Sequence, residues 1–288
     1  MTLALLAVVT ALIVGWILWQ PYRIRARQAR DRARPFPDDW REMLNDQMPL
    51  YRALPEPLRR QLEGHVRVFL ADKVFIGCDG LEVTDEMRLL VAGQACLLIL
   101  NRTTAVYPEL RQVLIYPEAF IVDREEVDED GILHRERQVL TGESWAESQV
   151  ILSWPDVLHG ASVADDGENV VIHEFAHQLD QETGYANGAP ELDGRGAYAR
   201  WATVLGEEFE RLRDRIEAGE ETLLDDYGAT DPVEFFAVVS EAFFEQPALL
   251  LREHPALYDE LARFYRLDPA HGWLPASPIT QAPRMAGP

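Results

Sequence analysis

The stretch Val170-Val171-Ile172-His173-Glu174-Phe175-Ala176-His177-Gln178-Leu179-Asp180 decides how this chain is read. Uncharged, mostly apolar residues flank the histidines on both sides, as a buried helix beneath a cleft requires. On a helix, residues four apart share a face and lie about 6 Å apart along the axis. His173 and His177 can therefore direct imidazole nitrogens to one ion. Glu174 is their neighbour but points differently, so it can take a proton from a water at that ion without occupying a coordination position. This is the HExxH arrangement of zinc hydrolases. Two core histidines beside a buried glutamate would instead strand a carboxylate in an apolar stretch, which is expensive.

A catalytic zinc takes three protein ligands and keeps a position for water. Asp180 is a weak candidate for the third. It lies about 7 to 8 Å along the axis from the point midway between the histidines, on a short side chain. The better source is the apolar helix predicted over Asp231–Phe244, DPVEFFAVVSEAFF, which carries Glu234 and Glu241 seven residues apart on one face. Asp231 and Pro232 mark its start, so Glu234 is either a ligand or a capping-box residue. Glu241 has no capping explanation. Deep in an apolar helix it needs a partner, and orienting a ligand histidine from behind would supply one.

Outside these two helices the pattern predicts an α+β body. Leu58, Leu62, Val66, Phe69 and Leu70, and then Met87, Leu90, Val91 and Cys96, recur at helical spacing and predict two packed helices. Val113–Tyr116, Phe120–Val122 and Ile132–Leu140 read as short strands, the last two separated by Asp128-Glu129-Asp130-Gly131. Gln149–Trp154 reads as another strand, closed by Pro155, and His159 falls in the loop expected after it. The two cysteines, Cys78 and Cys96, are too few to staple 288 residues, and Cys96 sits in an apolar run as an inert buried thiol.

Charge is distributed unevenly. Residues 1–34 hold six arginines and one aspartate, while the whole chain carries a net −22, so the rest of the chain is strongly acidic. Such a body repels phosphates and excludes direct nucleic-acid binding as the expected function. Met1–Trp19 contains no charged residue, and as a helix it would rise about 28 Å, close to the hydrocarbon thickness of a bilayer. Trp16 and Trp19, followed by Arg23, Arg25, Arg27, Arg30, Arg32 and Arg34, fit an interfacial aromatic belt and the positive-inside rule. The expected organisation is a single transmembrane anchor over 1–20 and a basic juxtamembrane linker over 21–35. A helical and mixed region over 36–142, a zinc peptidase region over 143–274 and a loosely ordered tail over 275–288 follow. The body is expected to face the cytoplasm.

NVVIHEFAHQLD (Asn169–Asp180), Asn187-Gly188-Ala189-Pro190 and YGATDPVEFFAVVSEAFFEQP (Tyr227–Pro247) together resemble the Mlc titration factor group of zinc peptidases, whose catalytic half is similar to anthrax lethal factor. The resemblance spans about Pro35 to His271. It implies a zincin-like fold, one zinc ion held by His173, His177 and Glu234, Glu174 as general base, and Tyr227 as the donor that stabilises the transition state. It also implies a strand bordering the cleft, for which Gln149–Trp154 is the candidate; Val150, Leu152 and Trp154 would meet an extended peptide substrate. The group is associated with capture of a transcriptional repressor, so a membrane-tethered binding module with a mainly structural zinc is the competing expectation. An intact glutamate base favours the peptidase, since a structural site needs none.

Overall fold

The computed structural model describes residues 2–102, 105–118, 120–127, 133–140, 142–143 and 148–273. The first helix, α1 (Thr2–Ala33), passes the expected boundary at residue 20 and Pro21 without ending. The arginine-bearing segment expected as a linker is thus the second half of this helix, which stops just before Pro35 and Pro37. Side-chain contacts hold that half against the body. Arg27 and Gln28 both bind the Asp72 carboxylate, and Arg67 donates to the carbonyls of Asp31 (3.2 Å) and Pro35 (2.7 Å). Among the described residues no helix is long and apolar enough to cross a membrane, and the side chains of most of the expected anchor lie outside those residues. Trp16, Trp19 and Tyr22 are exposed.

Two short helices, α2 (Asp38–Gln47) and α3 (Pro49–Ala53), lead into α4 (Glu56–Asp72), β1 (Val74–Gly77) and α5 (Asp85–Leu97). The helices α4 and α5 are the predicted pair, and they pack together. Then come β2 (Gln112–Tyr116), β3 (Phe120–Val127), β4 (Leu133–Leu140), β5 (Gly142–Glu143) and β6 (Gln149–Ser153). β3 and β4 form an antiparallel hairpin running from Phe120 opposite Leu140 to Val127 opposite Leu133. Its expected turn lies outside the described residues, as does the tail from Pro275. The other strands form one mixed sheet in the order β1-β2-β6-β5, parallel except for β5.

This sheet corrects the expectation for Gln149–Trp154. β6 lies between β2 and β5, so it is an inner strand rather than the edge beside a cleft. Val150 and Leu152 are fully buried in the core and cannot present side chains to a substrate. Trp154 is not in the strand at all: it opens α6 (Trp154–Ser162), because Pro155 occupies the first turn of a helix, where its missing N–H costs nothing. His159 lies in the last turn of α6, with Nε2 2.7 Å from Asp166 Oδ2.

The remainder is helical: α7 (Val170–Asp180), α8 (Arg195–Glu217), α9 (Pro232–Glu245), α10 (Pro247–Glu253) and α11 (Pro255–Tyr265). One apolar core runs through both halves. Phe175 of α7 meets Phe69 of α4 at 5.7 Å and Tyr107 at 4.8 Å between ring centroids, so the core continues across residue 142. Phe235, Phe236, Phe243 and Phe244 of α9 are likewise buried, among Trp201, Phe264 and Tyr265. Burying each such ring contributes about 1.5 to 3 kcal/mol relative to exposure, which anchors α9 alongside α7 with its glutamate stripe facing that helix.

Candidate metal centre

Asn169 starts α7 as an N-cap, its side-chain oxygen accepting the Ile172 N–H at 3.0 Å. The helix brings the His173 and His177 rings to 4.8 Å between centroids. α9 is capped by Asp231, whose Oδ1 accepts the N–H groups of Val233 (2.7 Å) and Glu234 (3.0 Å). With that end satisfied, the Glu234 carboxylate turns toward α7. Its Oε2 lies 3.0 Å from His173 Nε2 and 3.4 Å from His177 Nε2. One ligand atom from each of the three residues falls within 4.8 Å of the other two. Four ligands at 2.0 to 2.1 Å around a tetrahedral ion stand about 3.3 to 3.4 Å apart, so the two imidazole–carboxylate separations fit such an ion.

Glu241 stands behind this group. Its Oε1 accepts from His173 Nδ1 at 2.8 Å and its Oε2 accepts the Asn169 N–H at 2.5 Å. The first bond favours the proton on Nδ1 and leaves Nε2 as the nitrogen that could meet a metal. Burial disfavours a charged His173, but the carboxylates of Glu241 and Glu234 outweigh it and raise the imidazole pKa well above its ordinary value. Burial also pushes Glu234 up, yet the hydrogen bonds from His173 and His177 win and hold its carboxyl far below the usual carboxylate range. A divalent cation displaces such protons when it binds, because its ligands must be deprotonated.

Two further groups fix this geometry. Glu245, eleven residues after Glu234, continues the stripe on α9. It accepts from Asn169 Nδ2 at 2.8 Å and from the Gly167 N–H at 3.1 Å, and Asn169 Nδ2 also donates to the Gly160 carbonyl at 2.8 Å. Asp180, at the far end of α7, is not in the group of possible ligands: its Oδ2 accepts the N–H groups of Asn187 (2.8 Å) and Gly188 (2.7 Å). Gly188 in turn accepts from Trp201 Nε1 at 2.8 Å. It adopts φ +74°, and a Cβ there would stand 2.2 Å from the Pro232 carbonyl oxygen. The Asn187–Pro190 stretch is therefore a spacer between the end of α7 and the start of α9. The sequence reading missed Glu245 and Gly188. A third glutamate on an otherwise apolar stripe was the available signal for the first; for the second there was only an Asn-Gly pair.

Glu174 is buried beside the histidines, with 3% of its surface exposed. Tyr227 sits in a 3-10 turn, Asp226–Ala229, where Asp225 Oδ1 accepts its N–H at 2.7 Å. The residue is 44% exposed, and its ring centroid is 6.0 Å from that of His173. The structure thus brings His173, Glu174, His177, Tyr227, Glu234 and Glu241 together, and leaves Val150, Leu152 and Trp154 outside the group.

Residues 22–266 match the family described as glucose-regulated metallo-peptidase M90. The chain belongs to the M90 family. It is 40% identical over 259 residues to an uncharacterized protein of Synechocystis sp., covering 89% of this chain and 94% of that one. It is 36% identical over 233 residues to Mlc titration factor A of Yersinia pestis and of Yersinia pseudotuberculosis, covering 80% of this chain and 84% of each relative. The M90 match begins inside α1, at the arginine-bearing half, and leaves the apolar residues 1–19 outside it. Membership in a metallopeptidase family implies a metal, and His173, His177 and Glu234 could hold it.

Proposed function

We propose that this M90 protein is a zinc-dependent peptidase. The observation that carries the reading is the convergence of His173 Nε2, His177 Nε2 and Glu234 Oε2, with Glu241 fixing the His173 tautomer. These three atoms would hold one zinc ion, which suits two imidazoles and a carboxylate. Bound there, zinc supplies Lewis-acid polarisation of the scissile carbonyl and makes water acidic enough to attack near neutral pH. Glu174 takes the proton released by the attacking water and returns it to the departing amine. Tyr227 donates its phenolic hydrogen to the oxygen on which negative charge develops. An extended substrate would pair with β5, the edge strand that packs against α7, rather than with β6.

Two further proposals concern context. The uncharged run Met1–Trp19, its tryptophans and the following arginines support a single-pass membrane anchor with the body in the cytoplasm; a reporter fused after Pro288 and found outside the cytoplasm would refute it. The name of the Yersinia relatives, Mlc titration factor A, supports a regulatory second reading in which the chain captures a repressor of the Mlc kind.

The test is metal content and peptide cleavage measured together on the full chain and on Glu174→Gln. Equal zinc in both, with cleavage by the parent alone, is the expected result. Equal zinc with equal cleavage removes Glu174 as the base, and zinc with no cleavage by either favours the capture reading.

A further inference from the structure

The chain carries 27 basic and 49 acidic side chains, yet one cavity reverses that balance. It lies between α8 and α11, has a volume of about 270 Å³, and is lined by Arg102, Arg200, Arg263 and Arg266 against three carboxylates. Two of the three, Glu191 and Asp193, are exposed on the loop before α8. Water screens them there, and a pairing such as that of Arg266 with Asp193 at 3.1 Å contributes little. The third, Glu260, is buried and serves two arginines at once, accepting from Arg200 Nε at 3.2 Å and from Arg263 Nη1. Arg102 is the most buried of the four, with 6% of its side chain exposed; it stands 3.3 Å from Glu182 and 4.2 Å over the Phe264 ring.

Two inner carboxylates, Glu182 and Glu260, therefore face three guanidinium groups, and Arg266 adds a fourth whose partner is solvated. Positive charge is left for a ligand to neutralise. Donors are in excess as well: within the described residues Arg102, Arg263 and Arg266 each make one hydrogen bond and Arg200 makes two, a fraction of what each fork offers. The cavity also reaches the first turn of α8 at Ala197. That turn holds no acidic residue and no side chain caps it, so the positive end of the helix dipole adds to the same preference. A phosphate or carboxylate group matches such forks in charge and geometry. The acidic remainder of the chain repels a polyanion, and the volume is at the small end of ligand pockets, so the fit is to a small molecule.

The cavity is joined to the frame of the metal centre. Trp201 lines it and donates through Nε1 to the Gly188 carbonyl at 2.8 Å. Arg102 holds Glu182, in the turn that follows α7. Leu192 and Asp193 line it too, on the loop that continues from the Asn187–Pro190 spacer. An anion held between Arg102, Arg200 and Arg266 would draw that loop against α8 and α11. We propose that this cavity binds a small effector through a phosphate or carboxylate group, and that its occupation steadies the spacer and tightens metal binding. The anion site stands without the peptidase reading; its coupling rests on the metal centre which that reading assumes.

The test uses the full chain, with inorganic phosphate and succinate as separate probes at constant ionic strength. At least one should raise the melting temperature saturably, by about 2 to 4 °C at about ten times its Kd. Arg200→Gln should raise the half-saturating concentration by at least about ten-fold, as loss of a charged hydrogen bond allows. Arg266→Gln should do the same and provides a second variant if the first fails to fold. Arg213→Gln, an exposed arginine further along α8, should leave the response intact; general salt effects are common to all the proteins and cancel. The probe with the lower half-saturating concentration identifies the head group. Chelator competition then reads the metal: a saturating probe should raise zinc affinity at least about five-fold in the parent and not in Arg200→Gln. A melting response that is absent, unsaturable, or equal in the parent and both cavity variants overturns the site. Saturable binding with unchanged zinc affinity overturns the coupling. Elemental analysis of the parent separates this from a failure of the metal centre: a protein without bound metal sinks that reading, and leaves the anion site to be decided by the melting result.

Discussion

Replacing Gly188 by alanine should weaken metal binding without touching a ligand. Two costs follow from the geometry. Alanine at φ +74° is disfavoured by about 1 to 2 kcal/mol. In addition, the new Cβ would stand 2.2 Å from the Pro232 carbonyl oxygen and 2.7 Å from its carbon, both backbone atoms that no rotamer change can move. Restoring ordinary contact at about 3.5 Å requires the head of α9 to retreat by roughly 1 Å, and Glu234 is two residues further on. Metal ligand distances tolerate only about ±0.2 Å, so the carboxylate would leave the position at which it now meets both imidazoles. The expected result is a zinc affinity lowered by about 10 to 100-fold, the range seen when supports of metal ligands are disturbed. The strain on the backbone lowers the melting temperature by only about 2 to 8 °C. Competition with a chromophoric chelator reads the affinity, and a melting scan of the same samples reads the stability. Unchanged affinity alongside a lowered melting temperature would show that the spacer supports the fold but does not set the metal site.

Three other outcomes follow from the same contacts. Glu241→Gln places an amide opposite the Asn169 N–H or opposite His173 Nδ1, so zinc affinity should fall by about ten-fold and the absorption spectrum of the cobalt-substituted protein should change; an unaltered spectrum would dismiss Glu241 as the orienting group. Tyr227→Phe should lower turnover by about 10²- to 10³-fold while metal content, read by elemental analysis, stays at the parent value. Burial lifts the Glu245 carboxyl from its ordinary 4.5 to about 8, with Asp166 and Glu241 adding to the rise and Asn169 opposing it. The folded protein then holds this proton more tightly than the unfolded chain. Its contribution to stability is complete below about pH 4.5 and declines as pH rises toward 8, by at most about 1.4 kcal/mol per pH unit. Urea midpoints across that window should fall less steeply for Glu245→Gln than for the parent, and parallel curves would refute the assignment.

What the chain's own order of residues determined is everything that depends on neighbours within one helix. His173, Glu174 and His177 could be read as a group because four residues make about one turn, and their orientation follows from helix geometry alone. The same holds for the start of α9 at Asp231 and Pro232, and for the stripe bearing Glu234 and Glu241. Tertiary structure brought the Glu234 carboxylate opposite α7, 3.0 Å from His173 Nε2 and 61 residues away from it in sequence, where it could serve as a ligand as well as lie beside the cap. It decided that Asp180 braces Asn187 and Gly188, and that Glu245 joins the polar cluster at the head of α7. It also moved Gln149–Ser153 from the edge to the interior of the sheet, because a strand's rank is set by partners distant in sequence. Residues 21–33 became helix rather than linker where Asp72 and Arg67 gave them something to pack against. Periodicity records which face of an element is apolar, but only packing decides what that face meets.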